Sequence, residues 1–196
     1  MQPIARSGVT LRLPDRCKRA SAQVEVVPTH SIGAIVMHSS EGICTIERIS
    51  KMRFGDQAEQ LYYILKPSIA KNSSVVYMPV TKGNEALRKL LTVQDIDRII
   101  TESLDVPSVW VDDNKHRKER FQEILSQRSY PEMIRMVRDI HIHTEKRIQN
   151  GKKSCASDEA LLAEAESVLH QEFGYVLGLE ESEVPFYIRQ RLEASA

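Results

Sequence analysis

The residues of this chain best suited to a chemical task are one indole and the cations behind it. Trp110 is the sole tryptophan among 196 residues, and the run Asn114-Lys115-His116-Arg117-Lys118-Glu119-Arg120-Phe121 follows shortly after. An aromatic that projects beside phosphate-binding cations can stack on an unpaired base or wedge into a minor groove. Such stacking is worth about 1–3 kcal/mol per base, enough to move an opening equilibrium by about one to two decades. The opposing reading is that a lone tryptophan plugs a seam between helices, because the residue type is usually largely buried. Both readings stay open on sequence grounds.

Other candidates are weaker. His141 and His143 in Ile140-His141-Ile142-His143 suggest a metal pair. Residues two apart on a helix point in different directions, whereas helical zinc sites use three- or four-residue spacings with further ligands. They read as structural or surface histidines, and a hydrolase built on either is the weakest option. The eight glycines are scattered and form neither a Walker nor a dinucleotide pattern, and no Gly-x-Ser-x-Gly elbow occurs. Glu164 and Glu166 fall in an acidic helix and read as a solvated face. The expectation is therefore a binding protein without catalytic residues, metal or cofactor.

The formal net charge is zero, yet the charges are segregated. Residues 1–29, 30–109, 110–153 and 154–196 carry +3, 0, +4 and −7. A basic middle followed by an acidic end favours one face for an anionic partner while limiting indiscriminate binding. Cys17, Cys44 and Cys155 are widely separated and lack metal-ligand spacing. That usage points to a reducing cytoplasm. No stretch approaches the roughly 20 apolar residues of a membrane helix, and Arg12, Asp15, Arg16, Lys18 and Arg19 interrupt any apolar signal core.

Two kinds of element must position these residues. Residues 1–29 read as a flexible tail, with Val24-Glu25-Val26-Val27 as one short strand candidate. From Ile32 to Val80, short β-type runs alternate with turns. The runs are 34–37, 43–49, 61–65 and 75–78, broken at Ser39–Gly42, at Phe54-Gly55-Asp56 and near Lys71-Asn72-Ser73. Pro79 ends the last run because it lacks an amide donor. Consecutive strands this short form a small, strongly twisted antiparallel sheet whose edge can accept another protein's strand.

Beyond Thr81 the period becomes helical. Thr92 and Asp95 predict a capping box, ahead of an inward stripe of Val93, Ile96, Ile99, Ile100 and Leu104 that Pro107 terminates. A second helix runs from about Asp113 to Ser126, with Phe121, Ile124 and Leu125 inward. Ser129 and Glu132 predict another capping box, starting a helix that buries Met133, Ile134, Val137 and Ile140 and stops near Asn150-Gly151. Ser157 starts a fourth helix, closed by Gly178, and Ser182 opens a last one. The fold class is α+β, a small antiparallel sheet followed by an all-α bundle. The expected division is a tail over 1–29, a sheet domain over 30–90 and a helical domain over 91–196.

These residues resemble a known family. Ile32-Gly33-Ala34-Ile35-Val36 through Leu61-Tyr62-Tyr63-Ile64-Leu65 to Val76-Tyr77-Met78-Pro79-Val80 is similar to the RNA-polymerase-interacting domain of CarD/CdnL-type bacterial transcription regulators. That Tudor-like module is shared with the transcription-repair coupling factor, whose helicase motifs are absent here. Trp110-x-x-x-Asn114-x-x-Arg117-Lys118-Glu119-Arg120-Phe121, Met136-Val137-Arg138-Asp139, Gly151-Lys152-Lys153 and Asp158-Glu159 resemble the family's helical domain. The resemblance covers about residues 30–178.

It implies a sheet module that docks on the RNA polymerase β subunit by edge-strand pairing and charged contacts. Arg53 matches a position implicated in that docking, and Tyr77 falls where other members carry an arginine. It further implies a helical domain at the upstream edge of the promoter bubble. There Trp110 would act as the wedge, and Lys115, Arg117, Lys118, Lys152 and Lys153 would hold phosphates without reading sequence. A monomer is expected. The alternative is a protein-interaction adaptor with Trp110 buried in the helical core.

Overall fold

The structure is a computed structural model that describes residues 27–55, 58–68 and 75–195. The strands are β1 (Ile35–His38), β2 (Gly42–Met52), β3 (Gln60–Pro67), β4 (Val76–Pro79) and β5 (Arg88–Lys89), arranged β4-β3-β2-β1-β5 with antiparallel neighbours. The helices are α1 (Val80–Ala86), α2 (Val93–Asp105), α3 (Asn114–Gln127), α4 (Tyr130–Gln149), α5 (Ala156–Leu177) and α6 (Val184–Ser195). The α+β class expected from the sequence is the one observed. The suggested strand at 24–27 and the turn near 71–73 lie outside the described residues, apart from Val27, which is exposed and outside any strand.

Alternation in the strands sends Val36, Cys44, Ile46, Tyr63 and Leu65 to one face, where Val80 and Leu87 close a small core. Helix α1 lies tight on this face. A Cβ at Gly83 would come within 2.6 Å of the Tyr63 ring, so only glycine permits that approach. The Tyr63 hydroxyl donates to Asn84 Oδ1 at 2.7 Å, and Asn84 Nδ2 donates to the Val27 carbonyl at 2.9 Å. Residues 27–29, which read as tail, are thus tied to α1. A register shift between Ile46 and Arg48 marks a bulge in β2, which strengthens the local twist.

The expectation of helix after Thr81 is met by α1 and then broken by β5. Two residues carry no periodic signal. Their pairing with β1, Val36 with Lys89 and Met37 with Arg88, is a tertiary event. Strand β4 ends at Pro79, as its missing amide requires.

The helices bury a second cluster, including Ile96, Ile100, Phe121, Ile124, Met133, Met136, Ile140, Leu169 and Phe173. The Thr92–Asp95 capping box forms in full, with Asp95 N donating to Thr92 Oγ1 at 3.1 Å and Thr92 N to Asp95 Oδ2 at 3.0 Å. Gly178, at φ +67°, closes α5 in the left-handed conformation that suits glycine. Four local expectations are corrected. Ser129 makes no side-chain cap; Glu132 turns instead towards Arg120, at 3.4 Å. Val93 is exposed, because α2 turns its first residue outward. Helix α5 begins one residue before Ser157, with Cys155 at its N-cap position. The last helix begins at Val184, after a turn over 181–183, rather than at Ser182.

The two apolar clusters share no residue. Where sheet meets helices, polar contacts join apolar ones such as Met37 of β1, which shares a cavity wall with Val168 and Gln171 of α5. Arg88 of β5 grips the Glu172 carboxylate of α5 with two hydrogen bonds, at 2.7 and 2.6 Å. The Tyr130 hydroxyl donates to Glu172 at 2.6 Å and Leu91 N donates at 3.1 Å. At the other end of the seam Arg128 donates to the Ser39 carbonyl. A Cβ at Gly42 would overlap the Gln171 side chain of α5, at 2.1 Å.

Candidate nucleic-acid interface

Trp110 lies in the segment joining α2 to α3, and buried carboxylates hold that segment in place. Asp139 of α4, 3 % exposed, accepts from Ser108 Oγ and Val109 N, both at 2.8 Å. Asp113 caps α3 by accepting from the amides of Lys115 at 3.1 Å and His116 at 2.9 Å. The His116 amide bond and the neighbouring His116 ring hold the Asp113 carboxyl below its ordinary range.

The indole is neither free nor sealed. It is half-buried, its ring stacked on His143 at 3.7 Å and 3° between planes, with Phe121 at 6.3 Å. The Arg117 guanidinium carbon stands 4.3 Å from the ring centroid, and Trp110 Nε1 donates to Asp112 Oδ1 at 3.1 Å. Burial lowers the His143 pKa, Lys146 and Arg117 lower it further, and Asp139 and Asp112 oppose them. A neutral imidazole lying flat on an indole is the favoured state of this contact.

The cations read from the sequence divide into two groups. Lys115 and Lys118 are exposed along α3. Lys152 and Lys153 are exposed on the turn after α4, which Arg147 fixes by donating to the Lys153 carbonyl at 3.1 and 3.0 Å. Arg117 is different, and its expected role at a phosphate is corrected. Its side chain is 3 % exposed and is held by Asp158 through Nε at 3.3 Å and Nη2 at 2.9 Å. It also donates to the carbonyls of Val111 and Asp112 and to Asn114 Oδ1. Every N–H direction of that guanidinium is directed inward, so nothing remains for an external anion. Arg117 instead ties the first turn of α3 to the first turn of α5 and braces the segment that carries Trp110.

The sequence did not single out Asp139, Asp158 or His143 for this work. Spacing to Trp110 could not reveal them, since they come from α4 and α5 and reach it only through folding. His141 and His143 do diverge as their spacing predicts. His141 Nε2 faces Glu166 at 3.3 Å, whereas His143 lies on Trp110. Among the described residues no group of three or more His, Cys, Asp or Glu could hold a metal ion. No described helix is long and apolar enough to cross a membrane.

A second surface lies on the sheet. Strand β4 is an edge strand, and Tyr77 on it is 48 % exposed. Phe54, also exposed, meets Tyr77 edge-on at 5.7 Å and Tyr62 at 5.1 Å. Arg53 is exposed just after β2 and next to Phe54. The fold therefore brings Phe54 to Tyr77 at the β4 edge, with Arg53 next to Phe54 in the chain. Residues 30–91, which span the whole sheet and end beside β5, match the family model of the CarD-like/TRCF RID domain.

The sheet half of the chain is a CarD-like/TRCF RID domain. This domain is an RNA-polymerase-interacting module, a transcription-related function. No curated protein matches the chain significantly. The family match ends at residue 91, so the helical half of the chain is read from its own geometry.

Proposed function

We propose that the chain is a non-enzymatic transcription regulator that docks on the RNA polymerase β subunit and stabilises the open promoter complex. The observation that carries this reading is a half-exposed indole, braced by a buried ion pair, on a body that also carries a polymerase-interacting domain. Docking is assigned to the β4 edge, with Arg53 and Tyr77 in the contact. Edge pairing supplies backbone hydrogen bonds, and the exposed aromatics supply apolar area.

In this reading Trp110 props the upstream edge of the bubble, and Lys115, Lys118, Lys152 and Lys153 hold phosphates without reading sequence. One copy per polymerase suffices. A weak DNA contact is enough, because docking raises its effective concentration. That suits a chain with zero formal net charge.

Trp110→Ala tests the wedge. Polymerase binding is retained and open-complex lifetime shortens by about one decade, the value of one stacking contact; an unchanged lifetime rejects the wedge. Arg53→Glu weakens polymerase capture, and full retention in a pull-down removes Arg53 from the contact. The packing of Trp110 on Phe121 and His143 favours one rival, a protein-interaction adaptor in which the indole serves the helical core. Under that rival Trp110→Ala lowers stability and leaves open-complex lifetime alone.

A further inference from the structure

We infer that Glu172 and Arg88 are positioning residues that fix the angle between sheet and helices, and with it the reach from the β4 edge to Trp110. The inference rests on the function proposed above and names the part of the chain that makes both contacts simultaneous. Its basis is the seam. The two main apolar clusters share no residue, and the apolar area that Met37 brings against Val168 at the seam is non-directional, so it favours contact without fixing an angle. The task falls to directional contacts, and the strongest converge on one carboxylate.

Glu172 is fully buried in α5 and accepts from three elements. Arg88 comes from β5, Tyr130 from the start of α4, and the Leu91 amide from the connector between β5 and α2. The last strand of the sheet and the chain leaving it are thereby held by the same group. A bidentate guanidinium–carboxylate pair fixes a plane as well as a distance, which a single hydrogen bond does not. Burial alone would push the Glu172 carboxyl up, but the hydrogen bonds from Arg88 and Tyr130 outweigh it and hold the group ionised. Burial, reinforced by the charge and hydrogen bond of Glu172, pushes the Tyr130 hydroxyl far above its ordinary value, so it stays a donor. At the far end of the seam, Gly42 against Gln171 and Arg128 against Ser39 provide a second fixed point. Two fixed points on one seam resist rotation about either.

A rigid bracket has a specific use here. If the sheet is anchored on polymerase, the effective concentration of Trp110 at the bubble edge depends on how narrowly its position is distributed. A loosened seam leaves each surface intact and spreads that distribution.

The test uses the full chain with Glu172→Gln and Arg88→Gln. Glu172→Gln is the gentler loss, because the Arg88 side chain it leaves is 38 % exposed, whereas Arg88→Gln strands a fully buried carboxylate. Spin labels at Lys51→Cys on β2 and Gln122→Cys on α3, in a background of Cys17→Ser and Cys155→Ser, read the distance between the two halves. The parent gives one narrow distance distribution. Each variant that keeps the parental Trp110 emission is expected to broaden it, to bind polymerase as the parent does, and to shorten open-complex lifetime by about threefold or more at saturating concentration.

A distribution that stays narrow in a folded variant overturns the inference. So does a broad distribution with parental lifetime while Trp110→Ala shortens it, an outcome that leaves the wedge standing. Parental lifetime in both the seam variants and Trp110→Ala removes the function itself, and the positioning role with it.

Discussion

Removing one member of the Arg117–Asp158 pair is the sharpest perturbation of the helical half. Arg117→Met preserves length and apolar volume but strands a carboxylate whose side chain is 5 % exposed, in a site built for a cation. It also leaves the Val111 and Asp112 carbonyls without their donor. Breaking a buried pair from one side costs about 3–5 kcal/mol, well above the value of a surface pair. With a urea dependence of about 2 kcal/mol per molar, the unfolding midpoint drops by about 2 M. Trp110 emission is the natural probe, because the sole tryptophan sits on the segment that Arg117 braces. The double replacement Arg117→Met/Asp158→Leu removes both charges together and is expected to recover a large part of the loss. A single-variant cost below about 1 kcal/mol, or a double variant whose loss is the plain sum of the singles, refutes the account of Arg117 as a buried brace.

The remaining predictions concern the surface and the titrating groups. Lys115→Ala and Lys118→Ala each reduce the salt dependence of DNA binding, lowering the slope of log K against log salt by about 0.9; an unchanged slope takes that lysine off the phosphates. The His143 pKa is lowered in the fold, so its stabilising contribution is present above the ordinary histidine value and is lost as pH falls through the folded value. Trp110 emission should therefore be quenched on acidification with a midpoint below 6.5, as the imidazolium forms against the ring, and His143→Phe should abolish that step. Burial, with help from Glu41, pushes the Cys44 thiol up to about 11, whereas the Ser157 hydroxyl lowers that of Cys155. Iodoacetamide at neutral pH should label Cys155 and spare Cys44 in the folded protein, and labelling of Cys44 at a comparable rate would mean the sheet core opens readily.

Much of the architecture was legible because it rests on local rules. Thr92 and Asp95 cap α2 whatever lies around them, and Gly178 ends α5 because it tolerates φ +67°. Pro79 ends β4 for want of an amide. The failures share one cause. Ser129 and Glu132 have the spacing of a capping box, but Arg120, twelve residues away, competes for the glutamate. Val93 fits the apolar period and still faces water, because packing chooses the width of the buried stripe. Strand β5 exists only as a partner for β1.

The candidate site divides along the same line. That a tryptophan precedes a cation-rich helix, and that Arg53 and Tyr77 belong to a strand-rich module, follows from residue order alone. Which cations face outward does not. Arg117 and Lys118 are neighbours of like charge, yet one is sealed against Asp158 and the other is exposed. A helix places consecutive residues about 100° apart, so a single step separates core from solvent. The carboxylate that claims Arg117 lies 41 positions away in the chain. The half-buried state of Trp110, its stack on His143 and the hold of Glu172 on Arg88 and the connector are likewise contacts between distant segments. Local sequence determines which elements form and which groups they carry. Only the packing of those elements decides which charges are neutralised inside and which are left to meet a partner.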